Sequence, residues 1–86
     1  MTDPGWSFTA RARRDMRKLD RPVQRRVIEA LDRLVAKPPQ GDIVKLAGAD
    51  EEWRLRVGDW RVRFTRDDRG TVQVLRVLPR GRAYDR

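Results

Sequence analysis

Twelve residues near the middle of the chain restrict its fold more than any others. In Trp53-Arg54-Leu55-Arg56-Val57-Gly58-Asp59-Trp60-Arg61-Val62-Arg63-Phe64, apolar and basic residues alternate on both sides of Gly58-Asp59. Period-two alternation marks a half-buried strand. Gly-Asp is a two-residue hairpin turn in which Gly supplies the positive φ. A loop of that length fixes the register, because a slip of one residue moves every side chain to the other face. Val57 then stands opposite Trp60, Leu55 opposite Val62 and Trp53 opposite Phe64, all on the core face. On the other face Arg56 meets Arg61 and Arg54 meets Arg63, so four guanidinium groups project from one side of one hairpin. Like charges directly opposite each other destabilise a sheet, by a sizeable fraction of about 1 kcal/mol per pair. The arginine face is therefore read as an anion site in preference to a solvated face whose stems merely cover the sheet.

The flanking segments complete a fold around this hairpin. Residues 71–78 form a third strand with little alternation, as a central strand requires, and Pro79 ends it. With 67–70 as a four-residue turn, Arg76 is expected opposite Arg61 on the same side. Upstream, Trp6-Ser7-Phe8-Thr9 alternates as a short strand. The period then changes: Ala12, Met16 and Leu19 are spaced as one helical stripe, leaving Arg13, Arg14, Arg17 and Lys18 on an outer basic face. Asp20 is a good N-cap, and Pro22 suits the first turn of a second helix. Val23, Val27, Ala30, Leu31, Leu34 and Val35 form its stripe, and Pro38-Pro39 stops it. Two helices with almost no linker fold back as a hairpin. Residues 40–42 are a loop, 43–46 an extended piece and 48–50 a turn. The order β-α-α-β-β-β predicts an α+β, two-layer sandwich, with the helical hairpin packed on one face of a small, mainly antiparallel sheet. The second sheet face is left open.

Composition narrows the function. The chain has 86 residues, enough for one domain with a modest core. Residues 1–5 are expected to be a flexible tail and 79–86 a functional C-terminal tail. Charged residues make up 40% and hydrophobic residues 38%, but the three Trp and the regular apolar spacing argue against disorder. The net charge is +8, and all but Lys18, Lys37 and Lys45 of the 21 basic residues are Arg. Guanidinium groups bind phosphate bidentately, so the expected partner is a polyanion or an acidic protein. With no Cys and no His, disulfides, zinc sites, thiol nucleophiles and His acid–base chemistry are excluded. Asp50-Glu51-Glu52 and Asp67-Asp68 could suggest a metal, but two adjacent Asp in a hairpin turn are more often turn formers; no metal and no cofactor is expected. No apolar run reaches the length of a membrane span. The first residues lack the basic and apolar regions of a signal peptide. A cytoplasmic protein without membrane contact is expected.

The chain resembles RelE/ParE-superfamily toxins of bacterial type II toxin–antitoxin modules, and is closer to the RelE branch. The resemblance is carried by Asp15-Met16-Arg17-Lys18-Leu19-Asp20, Val23-Gln24-Arg25-Arg26-Val27-Ile28, Lys45-Leu46-Ala47-Gly48, the 53–62 block and Val77-Leu78-Pro79-Arg80 with Tyr84. The aromatic-Arg-x-Arg-x-Gly-Asp-aromatic-Arg block is the most specific of these. The resemblance implies a toxin that enters the ribosomal A site and cuts mRNA by attack of a ribose 2′-OH on the neighbouring phosphate. It matches the catalytic positions to Arg54, Arg56, Arg61, Arg80 and Tyr84. Arg56 and Arg61 would hold the scissile phosphate, and Arg80 would sit by the leaving 5′ oxygen. Tyr84 would stack on a base, and Arg54 would contact the backbone or the 2′-OH. Arg63, Arg76, Lys45 and Arg82 are expected to add RNA contacts. The implied partners are the ribosome, mRNA and a cognate antitoxin with an acidic or helical neutralising segment, in a hetero-oligomer.

Two departures from the family pattern matter. Arg stands at strand positions where some relatives have Lys, and Pro79 precedes Arg80 where a His is frequent. Arg is a poor general base, so the proton acceptor is left open among Asp42, Glu51, Glu52 and Tyr84. A ParE-like toxin that inhibits DNA gyrase, and a basic RNA-binding module without catalysis, are the alternative functions.

Overall fold

The computed structural model describes residues 4–46 and 51–82. Its elements are β1 (Trp6–Phe8), α1 (Ala10–Arg17), α2 (Arg21–Leu34), β2 (Asp42–Lys45), β3 (Glu52–Val57), β4 (Trp60–Arg66), β5 (Val72–Pro79) and a short 3-10 turn (Arg80–Arg82). The strands form one sheet in the order β1-β5-β4-β3-β2. Only the β1–β5 pairing is parallel, and the others are antiparallel. The expected α+β sandwich is therefore the observed architecture.

Local chemistry explains each boundary. The Thr9 hydroxyl accepts from Ala12 N to start α1, and the Asp20 carboxylate accepts from Val23 N to start α2. The α1 stripe buries Ala12, Met16 and Leu19, and the α2 stripe buries Val27, Ala30, Leu31 and Leu34. They pack on Leu55, Val62, Phe64, Val72, Val74 and Val77 from the sheet, with Trp53, Trp60 and Trp6 half-buried at the margin. Gly5 already belongs to the sheet's bonding, since its carbonyl accepts from Val72 N at 2.9 Å.

The register of the central hairpin is the one that the sequence predicts: Val57 with Trp60, Arg56 with Arg61, Leu55 with Val62, Arg54 with Arg63 and Trp53 with Phe64. The β4–β5 register differs from the expectation. Arg76 stands opposite Arg63, and Leu78 takes the place opposite Arg61. β4 ends at Arg66 and β5 begins at Val72, so the connection has five residues, 67–71, and not four. Alternation from there would turn Arg76 to the core. A bulge corrects it: Phe64 pairs with Val74 and Arg63 with Arg76, leaving Leu75 as the extra residue. The bulge returns Arg76 to the arginine face and Val77 to the core.

Gly41 shows how tightly β2 is seated. Its φ is +131°, and a Cβ there would come within 2.8 Å of Leu55 Cδ1. Leu55 is fully buried and has little room to yield. Gly41→Ala is expected to cost about 1–3 kcal/mol, read as a lower urea midpoint at unchanged slope.

Candidate functional site

The site is built on the end of the β3–β4 hairpin. Arg61 is only 5% exposed. Its Nη1 donates to Gly58 O at 2.8 Å and to Trp60 O at 2.9 Å. The guanidinium therefore braces the carbonyls of its own turn. Its Nε is buried without a hydrogen-bond partner among the described residues. On the far side of the turn, Arg80 N donates to Asp59 O at 2.8 Å. That bond carries the β4–β5 pairing one step past Trp60 and Pro79 and holds the backbone of exposed Arg80 beside the same turn. Arg56 stands opposite Arg61 in the sheet. Its side chain is 55% exposed, with Nη1 3.8 Å from Asp42 Oδ2, a loose pair across the β2–β3 register. Arg56, Arg61 and Arg80 thus meet at one end of the sheet, with the Asp42 carboxylate alongside.

Further along the face, carboxylates hold the arginines. Arg63 donates through Nε at 3.0 Å, and through Nη2, to Glu52 Oε2. Arg76 donates through Nε at 2.8 Å to Asp15 Oδ2 and through Nη2 to Asp15 Oδ1. Asp15 also accepts from Val77 N at 3.0 Å. β1 ends at Phe8, opposite Val74, so Val77 has no strand neighbour on that edge, and the helix α1 supplies the missing acceptor. Burial pushes the Asp15 carboxyl up. The hydrogen bonds from Arg76 and Val77, with the charges of Arg76 and Lys18, outweigh that and hold it below the usual carboxylate range. The same hydrogen bond raises the pKa of the Arg76 guanidinium.

The expected site residues therefore separate. The structure brings together Arg56, Arg61 and Arg80, with Arg54 half-buried next along β3. Arg63 and Arg76 share the face, but each is in an ion pair. Lys45 is opposite Trp53, on the alternate parity from the arginines, and its Nζ lies 5.8 Å from that ring. It is not part of the arginine face. Arg82 lies in the 3-10 turn after Arg80. Tyr84 falls outside the described residues. Of the open proton acceptors, Asp42 adjoins Arg56, Glu52 is taken by Arg63, and Glu51 is exposed with a φ of +60°. The residue that sequence reasoning passed over is Asp15. Its signal was present, a carboxylate on the same helical stripe as Ala12, Met16 and Leu19. Among the described residues no acidic cluster fit for a metal occurs.

Comparison with known proteins agrees with this fold. Residues 7–84 match the family model of the ParE toxin of the type II toxin–antitoxin system parDE. No curated protein sequence matches the chain. Three solved structures are similar over nearly all of it. The RelE–RelB complex of Pyrococcus horikoshii OT3 holds a chain 27% identical, with a TM-score of 0.72, covering 91% of this chain and 96% of that one. The toxin–antitoxin complex RelBE2 of Mycobacterium tuberculosis holds one 31% identical, with a TM-score of 0.68, covering 87% and 95%. The RelB–RelE complex of Methanococcus jannaschii shares the fold at 22% identity, with a TM-score of 0.74 and coverage of 91% and 94%. The fold is that of a RelE/ParE-superfamily toxin. The chain belongs to the ParE toxin family of type II toxin–antitoxin systems.

Proposed function

We propose that this toxin stops translation by cutting mRNA on the ribosome, as a metal-independent endoribonuclease acting in the cytoplasm. The observation that carries the reading is the Arg80 N to Asp59 O hydrogen bond, which holds the backbone of an exposed arginine beside the turn that Arg61 braces. In attack of a 2′-OH on the adjacent phosphate, negative charge grows on the phosphoryl oxygens. Fixed cations aimed at that charge are the kind of group that lowers such a barrier. Arg56 and Arg80 would touch the phosphate, and Arg61 would hold the turn that positions them. Asp42, which adjoins Arg56, would accept the 2′-OH proton. Arg54, Arg82 and Tyr84 would contact backbone and base. Arg63, Arg76 and Lys45 have their partners within the fold, and their contribution to RNA contact is secondary.

The second reading, inhibition of DNA gyrase, is favoured by the ParE family match. It also draws support from the carboxylates that occupy Arg63 and Arg76. A cognate antitoxin belongs to both readings, since the similar solved chains stand in toxin–antitoxin complexes. An acidic or helical segment laid over the arginine face would neutralise it. Brief induction of the chain in bacteria separates the readings. The nuclease reading expects growth arrest with new mRNA 5′ ends inside translated codons and no DNA-damage response. Arrest with DNA damage and intact messages is the gyrase outcome.

A further inference from the structure

Helix α1 carries a strong charge that the site above does not use. Arg11, Arg14 and Lys18, spaced by three and four, lie on one face of α1 and line a hollow of about 240 Å³ with Asp15 and Arg76. Asp15, the only carboxylate there, is already engaged by Arg76 and Val77 N. Among the described residues none of Arg11, Arg14 and Lys18 forms an ion pair, and the one carboxylate near them, on which the Lys18 charge also acts, is held by Arg76. Like charges at helical spacing destabilise a helix. A second hollow, of about 200 Å³, adjoins the first through Asp15, Lys18 and Arg76 and ends at Trp60 and Pro79. Trp60 is half-buried, pairs with Pro79 across β4–β5, and stands one residue before Arg61. Pro79 leads directly into Arg80.

We infer that this α1–β5 groove is the track for a single RNA strand. Phosphates would lie on Arg11, Arg14 and Lys18, a base would stack on Trp60, and the strand would be delivered to Arg80 at the hairpin end. Cations following a backbone, with an aromatic platform at their end, form the arrangement that single-stranded nucleic acid uses. An acidic peptide would meet the cations but has no use for a ring beside them. The inference deepens the nuclease reading and rests on it for the role of Arg80.

The test is binding of a fluorescein-labelled 12-nucleotide mixed-sequence RNA to the full chain, followed by anisotropy across a salt series. For single strands each neutralised phosphate contributes about 0.7 to the slope of log K against log salt. The triple variant Arg11→Ala/Arg14→Ala/Lys18→Ala, altered only at exposed positions, is expected to lose about 2 from that slope and at least tenfold in affinity at low salt. Trp60→Leu is expected to weaken binding roughly tenfold with the slope unchanged, and Trp60→Phe to restore it. Urea midpoints establish that each variant is folded. An unchanged slope in the folded triple variant overturns the inference. So does an equally tight, groove-dependent complex with a labelled 12-residue oligoglutamate, which would assign the groove to an acidic peptide. Failure of the nuclease reading looks different: the parent chain then binds RNA through the groove but makes no cuts during translation.

Discussion

Asp15→Ala is expected to destabilise the chain by about 3 kcal/mol, read from urea unfolding of the full protein. Three bonds end on this carboxylate, two from Arg76 and one from Val77 N. Truncation leaves a buried backbone N–H without an acceptor and a partly buried guanidinium without its counter-ion. Removing one partner of a buried pair costs about 3–5 kcal/mol. The Arg76 side chain is 29% exposed, so water recovers part of its loss, which sets the expectation at the low end. Asp15→Asn keeps an acceptor for Val77 N and loses only the charge. It should fall between the two, at about 1–2 kcal/mol. The pH dependence follows from the lowered Asp15 pKa. A carboxylate depressed in the folded state contributes stability in full above its unfolded pKa of about 3.9. That contribution is lost as pH falls through the lower, folded value. The gap between the parent and Asp15→Asn should be constant near neutral pH and close in acid below about pH 4. A gap that persists there would mean that the carboxylate charge is not what holds β5 to α1.

Arg80→Ala is expected to reduce mRNA cleavage by about 10²–10³-fold, the usual loss when one preorganised donor to a developing oxyanion is removed. Its side chain is exposed, and the bond that seats it comes from its backbone N. The Ala variant keeps that bond, and its urea midpoint should not move. Arg56→Ala should behave alike, since it loses only a loose pair with Asp42. Arg61→Ala makes a poorer test of chemistry. Its guanidinium braces the Gly58 and Trp60 carbonyls, so activity and stability should fall together. A folded Arg80→Ala that cuts as fast as the parent would remove Arg80 from the reaction.

How much of this was legible depended on the length over which each signal acts. The hairpin register was readable because a two-residue turn and strict alternation agree at every position from Trp53 to Phe64. The Asp20 cap and both helical stripes are equally local, whereas Thr9, read as the end of the first strand, caps α1. The place of Arg76 was not readable. β5 is nearly all apolar, so its sequence has no parity to reveal the extra residue at Leu75, and the bulge depends on packing against β4 and α1. The Asp15–Arg76 pair joins residues 61 apart in sequence. Only the placing of α1 along the free edge of β5 brings them together. Glu52 was more accessible: counting by twos from Arg54 puts it on the arginine face, where Arg63 reaches it. The arginines read from sequence as one face do share that face, Arg54 with Arg63 and Arg56 with Arg61, but Arg63 and Arg76 are held there by carboxylates from elsewhere in the fold.

The measurement that tests the central claim most directly is primer extension on one message in a purified translation system. The full chain is added with and without ribosomes, beside the folded Arg80→Ala variant. The account predicts cuts inside codons that require ribosomes and that fall by two orders of magnitude or more in the variant. An intact message with the folded parent chain, while gyrase supercoiling in a parallel reaction is blocked, would contradict it.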